Sequence, residues 1–196
     1  ELRPEIAYLL CCFAGVNDGD VVLDPFCGYG AIPLQLAKSF RFSKLFASDI
    51  DKKKIDFVSE KKQFKNAQNI NIRVSDAFSL NHIEDKSVNI IITDPPWGFY
   101  EDIGDVVEFY NKMFDCFKRV LAENGTVVVL SARKEELEKA VTDSGSHASF
   151  TLNGGTIGGN SAVYLPCKKE QLPAIVHTRT VGRQKSTAFL RGKAAS

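Results

Sequence analysis

Apolar runs of strand length alternate with segments of helical period along most of this chain, and that alternation leaves few folds open. The runs fall at residues 21–24, 44–48, 70–74, 88–93, 126–131, 148–152 and 162–165. Between them, residues 4–14, 31–38, 52–65, 105–121 and 134–144 have the spacing of amphipathic helices, the first with Pro4 in its opening turn. Strand, helix, strand in repetition builds a parallel sheet with helices on both faces, so the expected fold is α/β and doubly wound. The last two runs have no helix between them, only Asn153-Gly154-Gly155-Thr156-Ile157-Gly158-Gly159-Asn160. That connection suits an antiparallel hairpin rather than a right-handed crossover. Seven strands are therefore expected, mostly parallel, closing with a C-terminal antiparallel hairpin.

A chain of 196 residues, 44% hydrophobic and 25% charged, fits one domain with a substantial core. Its longest apolar runs are far too short to span a bilayer, and Glu1-Leu2-Arg3-Pro4 has no signal-peptide pattern. The five cysteines are odd in number and form no C-x-x-C pair, which fits a reducing, cytoplasmic setting and argues against a structural zinc site. A net charge of +1 hides an asymmetry: residues 168–196 carry +6 and residues 1–167 carry −5. We read 1–167 as the folded domain and 168–196 as a basic C-terminal tail, either solvated or in contact with nucleic acid. Because the chain begins at Glu1 rather than Met and a helix is expected almost at once, an N-terminal domain is expected to be missing from it.

In an open parallel sheet, ligands bind beyond the carboxyl ends of the strands. Here those ends read Asp24, Asp49, Asp76 and Asp94. A single Asp at such a place is more often a turn or cap residue, but four in succession describe a site. After Asp24 comes Pro25-Phe26-Cys27-Gly28-Tyr29-Gly30, where Gly28 and Gly30 allow a sharp turn and close approach of backbone to ligand. An acid there repels a pyrophosphate and prefers a cation, such as the amino group or sulfonium of S-adenosylmethionine. Asp49 lies where α/β nucleotide sites place an acid for the ribose hydroxyls, while Asp51 reads as a helix cap. Asp76 suits the adenine amino group, with Ala77 or Phe78 near the ring. Asp94-Pro95-Pro96-Trp97-Gly98 then offers a carboxylate, a backbone carbonyl that no strand uses and a stacking face, a grip for a planar ring bearing an amine. Cys27 reads as a packed small residue rather than a nucleophile, and Lys52-Lys53-Lys54 with Lys61-Lys62 as a solvated helix face.

These residues resemble the class I S-adenosylmethionine-dependent methyltransferases, and more narrowly the Rossmann-like domain of THUMP-associated RNA guanine-N2 methyltransferases. The resemblance covers about residues 2–167 and rests on Leu2-Arg3-Pro4-Glu5-Ile6-Ala7, Asp24-Pro25-Phe26-Cys27-Gly28-Tyr29-Gly30, Ser48-Asp49-Ile50-Asp51, Asp94-Pro95-Pro96-Trp97-Gly98 and the glycine-rich hairpin. It implies that Arg3 and Pro4 form a lid over the cofactor. It also implies that Pro25, Phe26, Cys27 and Ile50 belong to the cofactor site, and that an N-terminal RNA-binding domain accompanies this one. Tyr29 departs from the family, where a small residue is commoner.

Transfer of a methyl group to an aromatic amine requires an in-line lone pair, which the ring delocalises. Asp94 and the Pro95 carbonyl are expected to hold the two amino hydrogens and favour a more pyramidal nitrogen, with Pro96 shaping the corner and Trp97 stacking on the base. The expected activity is methylation of guanine N2 in RNA, tRNA in the first place. Adenine-N6 methylation of DNA or RNA and a non-catalytic RNA-binding module with the cofactor fold are the alternatives. The motif itself holds adenine about as well as guanine.

Overall fold

The computed structural model describes residues 2–143 apart from Glu101, and beyond them only the backbone of residues 149–150, 153–157, 160–164 and 167–168. Parts of the expected strand at 148–152, the Gly158-Gly159 turn and the basic segment 169–196 lie outside the described residues.

The chain runs α1 (Pro4–Ala14), β1 (Val21–Asp24), α2 (Ala31–Ser39), β2 (Lys44–Asp49), α3 (Lys52–Ser59), β3 (Ile70–Val74), β4 (Val88–Thr93), α4 (Val106–Val120), β5 (Leu121–Ser131) and α5 (Lys134–Asp143). These five strands form a parallel sheet in the order β3-β2-β1-β4-β5. Strand order reverses between β1 and β4, and a crevice opens at such a switch point above the carboxyl ends of the two strands. Among the described residues no helix is long and apolar enough to cross a membrane.

Alternation along the strands sends side chains to two separate cores. Leu23, Ile91, Val127 and Val129 pack with Tyr110, Met113, Phe117 and Leu137 of α4 and α5. Their neighbours Val22, Ile90, Ile92, Val128 and Leu130 point the other way, onto Ala7, Leu10, Cys11, Ile32 and Leu36 of α1 and α2. Both faces are thus covered, which is why β4 and β5 read as continuous apolar runs rather than as alternating ones.

Local chemistry sets the helix ends. Pro4 opens α1, and Gly15 closes it in the left-handed region at φ +66°, donating its N–H to Cys12 O. Asp51 caps α3 by accepting from Lys53 N at 2.8 Å, and Asp105 caps α4 by accepting from Glu108 N at 2.9 Å. Two of these elements differ from the sequence expectation by more than one residue at an end. α3 stops at Ser59 instead of residue 65, because a chain of three-residue turns (Lys61 to Val58, Phe64 to Lys61, Ala67 to Phe64) tightens the backbone and brings Phe64 inward to 7% exposure. β5 starts at Leu121 rather than Thr126, with an irregularity where Val88 pairs Leu121 and Ile90 pairs Thr126.

Candidate active site

At the end of β1, Asp24 is only 1% exposed. Its Oδ1 accepts from Thr93 Oγ1 of β4 at 3.0 Å and from Phe26 N at 3.3 Å, so the two strands at the switch point are joined through one carboxylate. Its Oδ2 is buried with no partner among the described residues. Burial pushes the carboxyl well above the usual carboxylate range, and the Asp94 and Asp49 charges add to this, against the opposing Thr93 and Phe26 hydrogen bonds. An orphaned buried acid of this kind is costly until a cation or a donor meets it. The residues present therefore fit the cationic amino-acid end of a sulfonium cofactor.

The loop above Asp24 is held by β2. Asp49 Oδ2 accepts from Gly28 N at 2.9 Å and Oδ1 accepts from Asp51 N at 2.9 Å, with Lys54 Nζ 3.9 Å from Oδ1. This carboxylate organises two loops as well as ending β2. Each oxygen has a second lone-pair direction, which leaves capacity for ribose hydroxyls. Ile50 follows at 73% exposure and gives the cavity an apolar wall. Asp76 is exposed; its Oδ1 accepts from Phe78 N at 2.9 Å, and no bond to its Oδ2 occurs among the described residues. Behind it Phe26, Phe78 and Phe109 form a ring cluster, Phe78 and Phe109 edge-to-face at 5.0 Å.

One cavity of about 740 Å³ joins these groups, a volume suited to a nucleoside-sized ligand. Of the expected site residues, Arg3, Asp24, Pro25, Phe26, Cys27, Gly28, Asp49, Ile50, Asp76, Ala77, Asp94, Pro95, Pro96 and Trp97 all line it. Pro4 and Gly30 are not among its lining residues. Pro4 begins α1, and Gly30 is the α2 N-cap at φ +83°, where a Cβ would stand 2.9 Å from Val58 Cγ1. Glycine at that position serves backbone conformation and packing rather than the cavity. Cys27 is buried, and desolvation raises its thiol pKa, so it carries no nucleophilic role.

The corner after β4 lines the same cavity. Asp94 is half-buried, with Oδ1 fully enclosed and without a partner among the described residues. Burial raises its pKa to about 7, while the nearby Trp97 indole opposes the shift. The indole N–H also donates to Leu130 O at 3.3 Å, and the ring packs against the α1 side of the core. Gly98 turns the chain at φ +72°.

One positioning residue escaped the sequence reading. Arg133, just after β5, donates Nε to Trp97 O at 2.8 Å. Its own N–H donates to Ser131 Oγ at 2.9 Å, and that hydroxyl shares a buried 2.8 Å hydrogen bond with Tyr110 of α4. The strand-end rule that picked out the four acids also covers β5 and would have brought in this position.

The fold and its cradle define a cofactor-binding α/β domain of the doubly wound class. TrmN from Thermus thermophilus has the same fold, with a TM-score of 0.72 at 24% identity over 86% of this chain and 49% of that one. The chain belongs to the RMKL-like, methyltransferase domain family, whose model matches residues 1–162. It is 28% identical over 145 residues to the tRNA (guanine(10)-N2)-dimethyltransferase of Methanothermobacter thermautotrophicus, covering 73% of this chain and 42% of that protein. It is 31% identical over 141 residues to the probable tRNA (guanine(10)-N2)-dimethyltransferase of Methanothermococcus thermolithotrophicus, covering 68% of this chain and 83% of that protein. The chain thus spans less than half the length of the first of these relatives.

Proposed function

We propose that this domain methylates the exocyclic N2 amine of guanine in RNA, with tRNA as the substrate class and S-adenosylmethionine as the methyl donor. The observation that carries the reading is the pairing, in one cavity, of two strand-end acids that each keep a buried oxygen without a partner among the described residues: Asp24 for the cofactor and Asp94 for the acceptor. The activities named for the two tRNA guanine-N2 relatives favour guanine over adenine.

When bound, the cofactor supplies an electrophilic methyl on a sulfonium. The chain's residues do the rest by position and charge. Asp24 offers an acceptor to the cationic end, Asp49 offers lone pairs to the ribose, and Asp76 with the Ile50 wall holds the adenine. Asp94 and the Pro95 carbonyl accept the two amino hydrogens of the target base, which localises the nitrogen lone pair for in-line attack. Asp94 would accept the proton that the amine gives up on methylation, and a pKa near neutrality suits that transfer.

This assignment fixes the sign of a pH dependence. Asp94 works as the carboxylate, and its free-enzyme pKa is about 7. kcat/KM for methyl transfer to unmodified tRNA is therefore expected to rise with one-proton slope below about pH 7 and to level off above it. A profile flat from pH 5.5 to 8, roughly the window over which such a group titrates, removes Asp94 from that role.

An antiparallel pair completing the sheet beyond β5 also belongs to this reading. Backbone pairing of Asn153–Ile157 with Asn160–Tyr164, and of Tyr164 with Leu130, supports it. By that pairing the hairpin would be formed by Asn153–Ile157 and Asn160–Tyr164, while Ser149–Phe150 of the apolar run at 148–152 pairs with Cys167–Lys168. The basic segment 168–196 would then follow the catalytic domain and add positive charge for an RNA backbone.

A further inference from the structure

Immediately after the acceptor corner, Gly98 turns the chain and delivers two aromatic residues to the cavity mouth. Phe99 is 48% exposed and Tyr100 is 97% exposed. Phe99 is firmly set: the Arg133 guanidinium carbon lies 4.1 Å from its ring centroid, and the Trp97 ring meets it edge-on at 6.3 Å and 87°. Arg133 is itself fixed by its bond to Trp97 O and by Glu136 at 3.5 Å. Tyr100 makes no ring contact among the described residues. Neither ring contributes to the two main cores, and the fold leaves both beside Trp97.

A base must leave its stack to reach a carboxylate at the end of a parallel strand, and its neighbour in the RNA then loses a stacking partner. Aromatic rings at the mouth of such a pocket replace that partner, and they do so for any base because every base has a π-face. We propose that Phe99 and Tyr100 form a stacking platform for the nucleotide next to the target guanine, in a single-stranded or locally unpaired stretch of RNA. The platform rests on the RNA reading above and adds a second binding position to it. Braced by Arg133, Phe99 supplies the rigid ring, and Tyr100 closes on the outer side of the neighbouring base.

The test uses the full-length protein, S-adenosylmethionine and an unmodified tRNA transcript, and compares wild type with Tyr100→Ala, Tyr100→Phe, Tyr100→Leu and Phe99→Ala. Tyr100→Ala is expected to raise KM for the transcript by about 5- to 150-fold, the range that loss of one base–aromatic stack produces. Cofactor affinity by calorimetry should stay unchanged. Tyr100→Phe should restore KM to within about twofold of wild type and Tyr100→Leu should not, because a π-face rather than bulk is what the base requires. Since Tyr100 holds no ring contact among the described residues, its variants keep the test decisive even if Phe99→Ala folds poorly. Unchanged KM in Tyr100→Ala, or a Leu variant as good as the Phe variant, overturns the platform alone. A wild-type chain that transfers no methyl to RNA overturns the RNA reading and the platform with it.

Discussion

Asp94→Asn is expected to reduce kcat for methyl transfer by about 10²- to 10⁴-fold while leaving cofactor affinity within roughly twofold. Asn keeps the size of the side chain and one acceptor oxygen, so the corner at Pro95 and Pro96 need not move. What it loses is the charge that localises the amine lone pair and the site that takes the proton. Its amide NH₂ also presents hydrogens to the amino hydrogens of the base. The loss should fall on kcat rather than on the cofactor's binding constant, because the carboxylate acts where charge develops during transfer. The rise in rate below about pH 7 should vanish in the variant, since the group responsible for it is gone. Folding should be little affected: a carboxylate whose pKa is raised by burial is a destabilising charge, and its neutral analogue removes that cost. Turnover within tenfold of wild type, or an equal loss of cofactor binding, contradicts the assignment.

Asp24→Asn has the second large effect, and it falls on the cofactor. Removing the charge from a buried, hydrogen-bonded acid that meets a cationic ligand costs about 2–5 kcal/mol, equivalent to roughly 30- to several thousand-fold in affinity. Calorimetry with S-adenosylmethionine measures it directly. Stability without ligand should respond in a different way. Burial raises the folded-state pKa of Asp24 above its unfolded value, so the folded protein binds more protons than the unfolded one across that interval. Stability then falls as pH rises from the ordinary carboxylate range through the raised folded value, and the Asn variant lacks this slope. Thermal unfolding of the ligand-free chain between about pH 4 and 8 separates the two. A variant that keeps wild-type affinity and the wild-type slope would show that Asp24 only ties β1 to Thr93.

Much of this architecture is legible in the sequence because the burial pattern is written locally. α1, β1, β3 and β4 have the bounds expected from periodicity, with Pro4 and Asp51 marking helix starts. The four acids are legible for a topological reason: a parallel sheet puts every strand end on one rim, so their order in sequence becomes proximity in space. The remainder depends on long-range contacts. The early end of α3 follows from Phe64 turning into the core, which a lysine-rich helical pattern conceals. Asp49 holding Gly28 joins residues 21 apart in sequence, and Gly30 is required by Val58, on another helix. Arg133 reaches Trp97 across 36 positions, so nothing near either residue announces the contact.

The central claim is chemical and is best tested by its product. The full-length protein is incubated with isotopically labelled S-adenosylmethionine and unmodified tRNA, and the RNA is digested to nucleosides for mass spectrometry. The account predicts label in N2-methylated guanosine, absent when Asp94→Asn replaces the wild type. Label in N6-methyladenosine, or wild-type RNA without label, would contradict it.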